Sequence, residues 1–501
     1  MTTLQVTQGV ATAPPVTERR QELRHNTLGL FDTTVIATSS VAPAYTLAAS
    51  VAFVVAAVGL QAPAAIVISF LPVLFIAVSY YYLNRLDPNC GASYSWVSRT
   101  LSPYVGWLSG WVQLAANVLF CAAAPALAGA YTLQLLNSIF PGQISSSVAS
   151  NKYLIAVIGI AWLALTTFMV VRGIRVTADF QWALVAIEII IILGFAAYAI
   201  FRALTGSATT QNHFSADWFN PSTPGISALA AGLALGVFFF WGWDTAANVN
   251  EETRDADEAP GKAGIYSMFI LLGTFLLVSV AIQMTVGLND ISANQNTVLF
   301  FFASQLVSSP ITYLMILAVL SSTVAVVQTT LLPSSRLSFS MARDGVFPTV
   351  FGRIHHRWHT PWAGTLITAM LSVAVIVLAL LIDNVNNVFA NLILDIGVLV
   401  AAYYGITGIA CAWAFRRMLF MSLRMFLFAG VLPLVSGLVL FAIAGYVVYS
   451  NVSASIPVLV TMGLGLPLLV LAVITNRNGF FRRKTESYIE LRGTAQPVST
   501  R

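Results

Sequence analysis
Three acidic side chains stand inside apolar stretches of this sequence, where a carboxyl group is costly and therefore informative. Asp244 ends Phe240-Trp241-Gly242-Trp243-Asp244, Glu188 sits in Val185-Ala186-Ile187-Glu188-Ile189-Ile190-Ile191, and Asp395 follows Leu392-Ile393-Leu394. Removed from bulk water, each must face a wet cavity, a partner group or a bound ligand. Two readings of Asp244 stand side by side: contact with a ligand, or a cap on a helix N-terminus, whose amides carry partial positive charge. Glu188 has no basic neighbour in sequence. It either takes up a proton or cation, or is a neutral carboxyl bonded to a serine or a backbone carbonyl.

The remaining chemistry-bearing residues point away from catalysis. His355-His356-x-x-His359 has ligand-like spacing, but Arg353 and Arg357 flank it and would repel a metal, so it reads as a surface loop. Cys121 and Cys411 fall in apolar runs and Cys90 in a basic loop, with no disulfide or metal-ligand spacing among them. The only lysines are Lys152, Lys262 and Lys484, and none sits in a phosphate-binding loop pattern. That argues against ATP-driven work by this chain alone. An intramembrane enzyme would need a nucleophile and base or a metal triad at membrane depth, and none of the five histidines lies in an apolar run. No enzyme activity, metal or cofactor is expected.

The elements that must position these residues follow from composition. The chain has 501 residues, 58% hydrophobic and 9% charged, with a mean hydropathy of +0.82. A soluble globular protein carries about a quarter charged residues, and a disordered chain needs low hydrophobicity, so both are excluded. The net charge of +5 raises nucleic acid as a partner. The basic residues cluster between apolar runs, however, which membrane orientation explains. Apolar runs of about 20 residues recur. They lie near Thr33 to Gly59, Ala64 to Leu83, Tyr104 to Leu136, Tyr153 to Val171, Ala178 to Phe201 and Ile226 to Val249. The series continues with Ile265 to Val286, Ile311 to Leu337, Trp362 to Ile382, Asn391 to Phe415, Phe426 to Tyr449 and Ile456 to Thr475, twelve in all.

With both termini cytoplasmic, thirteen Arg and Lys residues fall in cytoplasmic loops, among them Arg85, Arg99, Arg172, Arg175, Arg336, Arg343 and Arg416. Only Lys152 and Arg202 fall opposite. This is a strong positive-inside asymmetry, which places the chain as a multi-pass protein of the cell membrane. The polar stretch Met1 to Asn26 reads as a cytoplasmic tail rather than a signal peptide.

Two spans are poorly made helices. The first carries Thr38-Ser39-Ser40-Val41-Ala42-Pro43, where proline removes a backbone donor, and the sixth carries Gly242 and Asp244. The offset of five spans is odd, so the two interruptions run in opposite directions. Short helices are expected at the same offset, at Gly91 to Leu101 and at Thr297 to Val307. Broken helices in corresponding positions of two halves point to a transporter with a midplane site. The chain then divides into a tail at 1–27, a five-helix repeat at 28–202, a second at 203–417, two added helices at 418–475 and a tail at 476–501.

Three stretches carry a family resemblance. Phe240-Trp241-Gly242-Trp243-Asp244 is followed by Glu251-Glu252-Thr253 and Pro260. Ser335-Arg336 precedes Met341-Ala342-Arg343-Asp344-Gly345, Pro348 and Thr360-Pro361. Pro88, Gly91, Tyr94 and Trp96 lead to Gly106-Trp107 and Gly110-Trp111. Over roughly Leu28 to Arg417 the sequence resembles the amino acid-polyamine-organocation transporter superfamily. That resemblance implies an all-α polytopic fold with a leucine-transporter-type five-plus-five inverted repeat, broken helices one and six, and two extra helices.

The resemblance also implies a site. Substrate would meet Ser39, Ser40, Val41 and Ala42 in the first break, and Trp241, Gly242 and Asp244 in the second, with Phe238 as the gating aromatic. Relatives commonly have a glycine-rich break in the first helix. Here serines stand in its place, which weakens the case for a substrate carboxylate and keeps polyamines in play. Glu188 resembles the position that a lysine fills in proton-coupled relatives, with Ser321, Ser322 and Thr323 nearby as ion-coupling candidates. The implied function is secondary active transport of an amino acid or related amine by alternating access, coupled to an ion, a proton ahead of sodium, as symport or exchange. A polyamine or organic-cation carrier is the alternative within transport, and a non-transporting membrane sensor the alternative outside it. Glu251, Glu252, Asp255, Asp257 and Glu258 with Arg254 and Lys262 read as a solvated face whose pairs latch the inward gate.

Overall fold
Apolar segments of this length have no water along their flanks, so each backbone amide must find its partner within its own segment. Among the described residues every long element is accordingly helical and there is no strand. The computed structural model describes residues 22–141, 143, 146–206, 211–294, 297–381, 385–450, 452–476 and 478–485. Most of both expected tails, at 1–21 and 486–501, lies outside them.

The first half comprises α1 (Leu30–Val41), α2 (Pro43–Val58), α3 (Ala62–Asn84), α4 (Ser93–Thr100), α5 (Pro103–Ile139), α6 (Lys152–Arg172) and α7 (Ile174–Leu204). The second comprises α8 (Ile226–Phe239), α9 (Thr245–Asn248), α10 (Ala259–Thr285), α11 (Val298–Leu306), α12 (Tyr313–Arg343), α13 (Trp362–Leu380) and α14 (Val385–Ala414). Two more, α15 (Leu432–Ser450) and α16 (Ile456–Thr475), close the chain. Ten stretches are long and apolar enough to cross a membrane. One of them, Leu30–Asn84, has 55 residues. Drawn straight it would measure about 80 Å against a hydrocarbon core of about 30 Å, so it must fold back on itself. A 3-10 turn at Gly59–Gln61 separates α2 from α3.

Burial sorts these helices. The most apolar window of α12 is 89% buried and that of α5 72%, whereas α16 reaches only 17%. Helix α14, at 72% over Asp395–Ala414, matches α5, so α5, α12 and α14 form the centre of the molecule and α16 lies at its rim. Polar side chains on the buried helices satisfy themselves locally: Thr33, Thr34 and Thr38 each donate to the carbonyl four residues back. Where α5 meets α6 the backbones nearly touch. A Cβ on Gly159 would sit 2.2 Å from the Pro125 carbonyl oxygen, which is how small residues hold membrane helices together.

Both expected interruptions are present. Between α1 and α2 only Ala42 leaves the helical region, at φ 52° and ψ 73°, and Pro43 opens the next segment. Between α8 and α9 the chain is irregular from Phe240 to Asp244, with Gly242 at φ 116°.

The charged loop after α9 keeps Arg254, Asp255 and Asp257 exposed, as its composition suggests, but turns Glu252 inward. Glu252 and Arg336 are both fully buried and form a bidentate pair, Nε to Oε2 at 2.9 Å and Nη2 to Oε1 at 3.0 Å. Glu251 accepts from Arg343 at 2.8 and 3.1 Å and from the Cys90 amide at 2.9 Å. The segment before α1 straps across this loop: Thr27 and Leu28 amides donate to the Glu252 carbonyl, and Arg254 N–H donates to Leu28. One end of the molecule is thereby tied together by one fully buried ion pair, Glu252–Arg336, and one at the surface, Glu251–Arg343.

Candidate functional site
The two interruptions meet. A Cβ on Gly242 would lie 2.3 Å from the Ser40 carbonyl oxygen, so a side chain at this position is excluded by backbone. Glycine also supplies the positive φ there at little steric cost. The irregular stretch takes the amides of Gly242 and Trp243 out of the helical ladder and turns Asp244 inward, where it is 3% exposed.

Of the two readings of Asp244, the cap fails. Asp244 occupies the N-cap position of α9, yet its side chain makes no capping bond. It accepts instead from Tyr404 Oη at 2.9 Å, Tyr403 Oη at 3.0 Å and Gln113 Nε2 at 3.3 Å. Trp241 Nε1 donates to Tyr403 at 2.8 Å, extending the network to the second break. A carboxylate offers about four lone-pair directions, and three are used.

Beside it lies a cavity of about 10 Å³, at the threshold for a single water molecule, which Ser40, Gln113, Asn117, Trp241, Asp244 and Tyr403 help to line. The site is closed in this conformation. Three side-chain atoms on its wall have no hydrogen-bond partner: Ser40 Oγ, Gln113 Oε1 and Asn117 Nδ2. Gln113 must turn its amide nitrogen toward Asp244, so its oxygen is the free end. Two of the free atoms, Ser40 Oγ and Gln113 Oε1, can accept and stand on the wall beside the carboxylate, the third, Asn117 Nδ2, is a donor, and no Arg, Lys or His lines the cavity. This wall can receive a cation such as an ammonium group, whose three N–H bonds need three acceptors.

The other sequence-selected residues are distributed around this centre. Ser39, one position from Ser40, turns the opposite way and donates to Gln181, which in turn donates to Gln328. Val41 and Ala42 supply backbone: the Val41 carbonyl accepts from Thr46 at 2.6 Å, and Ala42 makes the bend. Phe238 is buried against Trp241 with ring centroids 6.4 Å apart, and Phe120 meets Trp241 edge-on at 5.2 Å.

Glu188 comes from α7 to the second half of the broken first helix. Its Oε2 accepts from the Ala44 amide at 3.3 Å, at the N-terminal end of α2, where the helix dipole favours negative charge. The Tyr45 amide donates to Ser322 Oγ at 3.1 Å, so carboxylate and hydroxyl share the freed amides. Glu188 Oε1 is fully buried with no partner. Ser321 and Thr323 donate to carbonyls of their own helix, Ala318 and Val319. Asp395 is buried at 4% exposure, in α14, two turns from Tyr403.

Gln113, Asn117, Tyr403 and Tyr404 were not singled out from sequence. Gln113 and Asn117 did carry a signal: two amides four residues apart share one face of a helix.

Known proteins agree with this architecture. The family described as amino acid permease matches residues 28–474. The low-affinity putrescine importer PlaP of Escherichia coli (strain K12) is 27% identical over 354 residues, covering 68% of this chain and 70% of its own. The branched-chain amino acid permease BcaP of Lactococcus lactis subsp. cremoris (strain MG1363) is 23% identical over 312 residues, 60% of this chain and 64% of that protein. Asc-type amino acid transporter 1 of Mus musculus is 26% identical over 296 residues, 58% and 53% respectively.

Proposed function
This chain belongs to the amino acid permease family, and from that premise we propose that it carries an amine-bearing substrate, an amino acid or a polyamine, across the membrane at the junction of its two broken helices. The observation that carries the reading is Asp244: a buried carboxylate with one free lone-pair direction, beside the unpaired acceptors Ser40 Oγ and Gln113 Oε1. An ammonium group satisfies all three. The acidic wall without a basic residue favours a cationic cargo over one read through its carboxylate, and the putrescine-importing relative points the same way.

The closed cavity supports alternating access, because cargo can reach Asp244 only after the surrounding helices part. Twelve spans are supported by resolving the 55-residue stretch into α1–α2 and α3, and by counting α8–α9 as one broken span. The short helices α4 and α11 follow α3 and α10, in keeping with a repeat at an offset of five spans. Cytoplasmic termini are supported by the basic loops. Coupling to a proton, as symport or exchange, is supported by Glu188, whose Oε1 is unpaired where the freed amides of α2 end.

The test is uptake into vesicles holding the purified protein, with putrescine, neutral amino acids and their deaminated analogues, under an imposed proton gradient. Amine-bearing cargo should accumulate and the analogues should not. Asp244→Asn should weaken amine binding about ten- to hundredfold, the worth of one charge-assisted bond of about 1.5–3 kcal/mol. Unchanged amine affinity in a folded Asp244→Asn protein sinks the assignment, and a protein that accumulates nothing fits a sensor instead.

A further inference from the structure
A second cavity, which shares no lining residue with the one beside Asp244, lies between α6 and α13, where Phe168, Leu366 and Met370 are exposed. It has a volume of about 440 Å³ and a wall of Ile160, Leu163, Thr167, Phe168, Leu366 and Met370 among others. The wall asks for nothing polar, since the one hydroxyl among these, Thr167 Oγ1, already donates to the Leu163 carbonyl at 2.6 Å. At its deep end Ile160 packs on the buried cluster Ala122, Ala156 and Ile376. From Ile160 to Val171 the groove follows α6 for about 16 Å, half of a hydrocarbon core of about 30 Å. That is the depth of one leaflet.

The shallow end is basic. Arg172, the last residue of α6, is exposed, with its guanidinium 5.4 Å from the Phe168 ring centre and 5.5 Å from that of Trp358. Phe168 also lines the groove, so the cation stands at its mouth. The loop bearing Trp358 is pinned there by Thr360 Oγ1, which donates to the Val171 carbonyl at 2.7 Å. The same loop brings Arg353, Arg357 and the stacked rings of His355 and His356. Among the described residues no carboxylate pairs with Arg172, Arg353 or Arg357. With its faces on aromatic rings, the Arg172 guanidinium keeps its N–H edges for an anion.

We propose that this groove binds one anionic phospholipid, with an acyl chain laid along α6 and the phosphate on Arg172. The inference uses three matches: an apolar slot one leaflet deep, a headgroup-level arginine without a counter-charge, and flanking basic residues that exclude a cationic occupant. Basic pockets between membrane helices are where anionic headgroups bind.

Native mass spectrometry of the full chain in detergent, with phosphatidylglycerol and phosphatidylcholine of identical chains, tests it. The wild type should retain one phosphatidylglycerol in preference to phosphatidylcholine. Arg172→Gln should weaken phosphatidylglycerol about fivefold, the worth of one basic residue at a membrane surface, and leave phosphatidylcholine unchanged. Met370→Trp fills the slot without touching a polar group and should weaken both lipids. Equal retention of the two lipids by wild type, an unaltered preference in Arg172→Gln, or undiminished lipid on Met370→Trp overturns the proposal. So does displacement of phosphatidylglycerol by an uncharged sterol at equal concentration. Should Arg172→Gln not fold, the Met370→Trp arm still decides.

Discussion

The buried pair Glu252–Arg336 offers the sharpest energetic test of the fold. Both side chains are fully buried and joined by two near-parallel bonds of 2.9 and 3.0 Å, with Arg336 Nη1 also donating to Ser335 Oγ at 2.9 Å. Removing one partner leaves the other charge buried and uncompensated, which costs about 3–5 kcal/mol. Replacing both with apolar residues of similar volume abolishes the desolvation cost along with the attraction and is close to neutral. Arg336→Met and Glu252→Leu should therefore each destabilise the protein by about 3–5 kcal/mol, and the double variant should recover most of the loss. Thermal and denaturant unfolding of the four proteins in one lipid–detergent mixture completes the cycle. If either single variant lies within about 0.5 kcal/mol of wild type, or the double is as unstable as the sum of the singles, the pair does not hold this end of the molecule as argued. The single variants carry a second expectation. With one charge left unpaired this end should open more readily, raising passive leak of substrate in vesicles, and the double variant should leak less than either.

Two further predictions concern Glu188 and Glu251. Glu188→Gln keeps an oxygen for the Ala44 amide but cannot titrate, so it should retain exchange of substrate while losing uphill accumulation and its pH dependence; a mutant that concentrates substrate with the wild-type pH profile returns Glu188 to a purely structural role. Burial alone would push the Glu251 carboxyl up, but Arg343 and the Cys90 amide outweigh it and hold it below its ordinary value of 4.5. A depressed carboxyl adds stability at pH above its unfolded value and loses it as pH falls from about 4.5 through the folded value. Unfolding followed from pH 6 downward should show that loss, and Glu251→Gln should flatten it; parallel profiles for the two proteins would refute the linkage.

What the sequence made legible were the interruptions and the expensive residues. A proline, a glycine and carboxylates inside apolar runs each break a rule of membrane helices, so Pro43, Gly242, Asp244 and Glu188 stand out without a structure. Rotational phase was not legible. Ser39 and Ser40 are equivalent as letters, but successive residues on a helix point about 100° apart, and only Ser40 faces the cavity while Ser39 serves Gln181. The tyrosines that hold Asp244 were hidden for a different reason. An aromatic in an apolar run is by default packing, and only the fold brings α14 to the second break. Within the acidic loop Glu251 and Glu252 were not legible, because charge density suggests solvent, whereas their partners lie more than eighty residues onward, in α12.

The two interruptions differ in stiffness. At the first, Ala42 is held in a left-handed conformation that costs a residue with a side chain about 1–2 kcal/mol, and Pro43 fixes the next φ. It is a rigid elbow. At the second, Gly242 is flanked by four further residues outside any helix and can rotate where no other residue could. It is a swivel, pressed against the elbow at the Ser40 carbonyl. If the two broken helices shift against each other in the transport cycle proposed above, the backbone geometry predicts that the give falls on the Gly242 side of the contact, with α8 and α9 turning about a first helix that keeps its angle. The junction is then mechanically lopsided, and the side expected to yield is the one that carries Asp244.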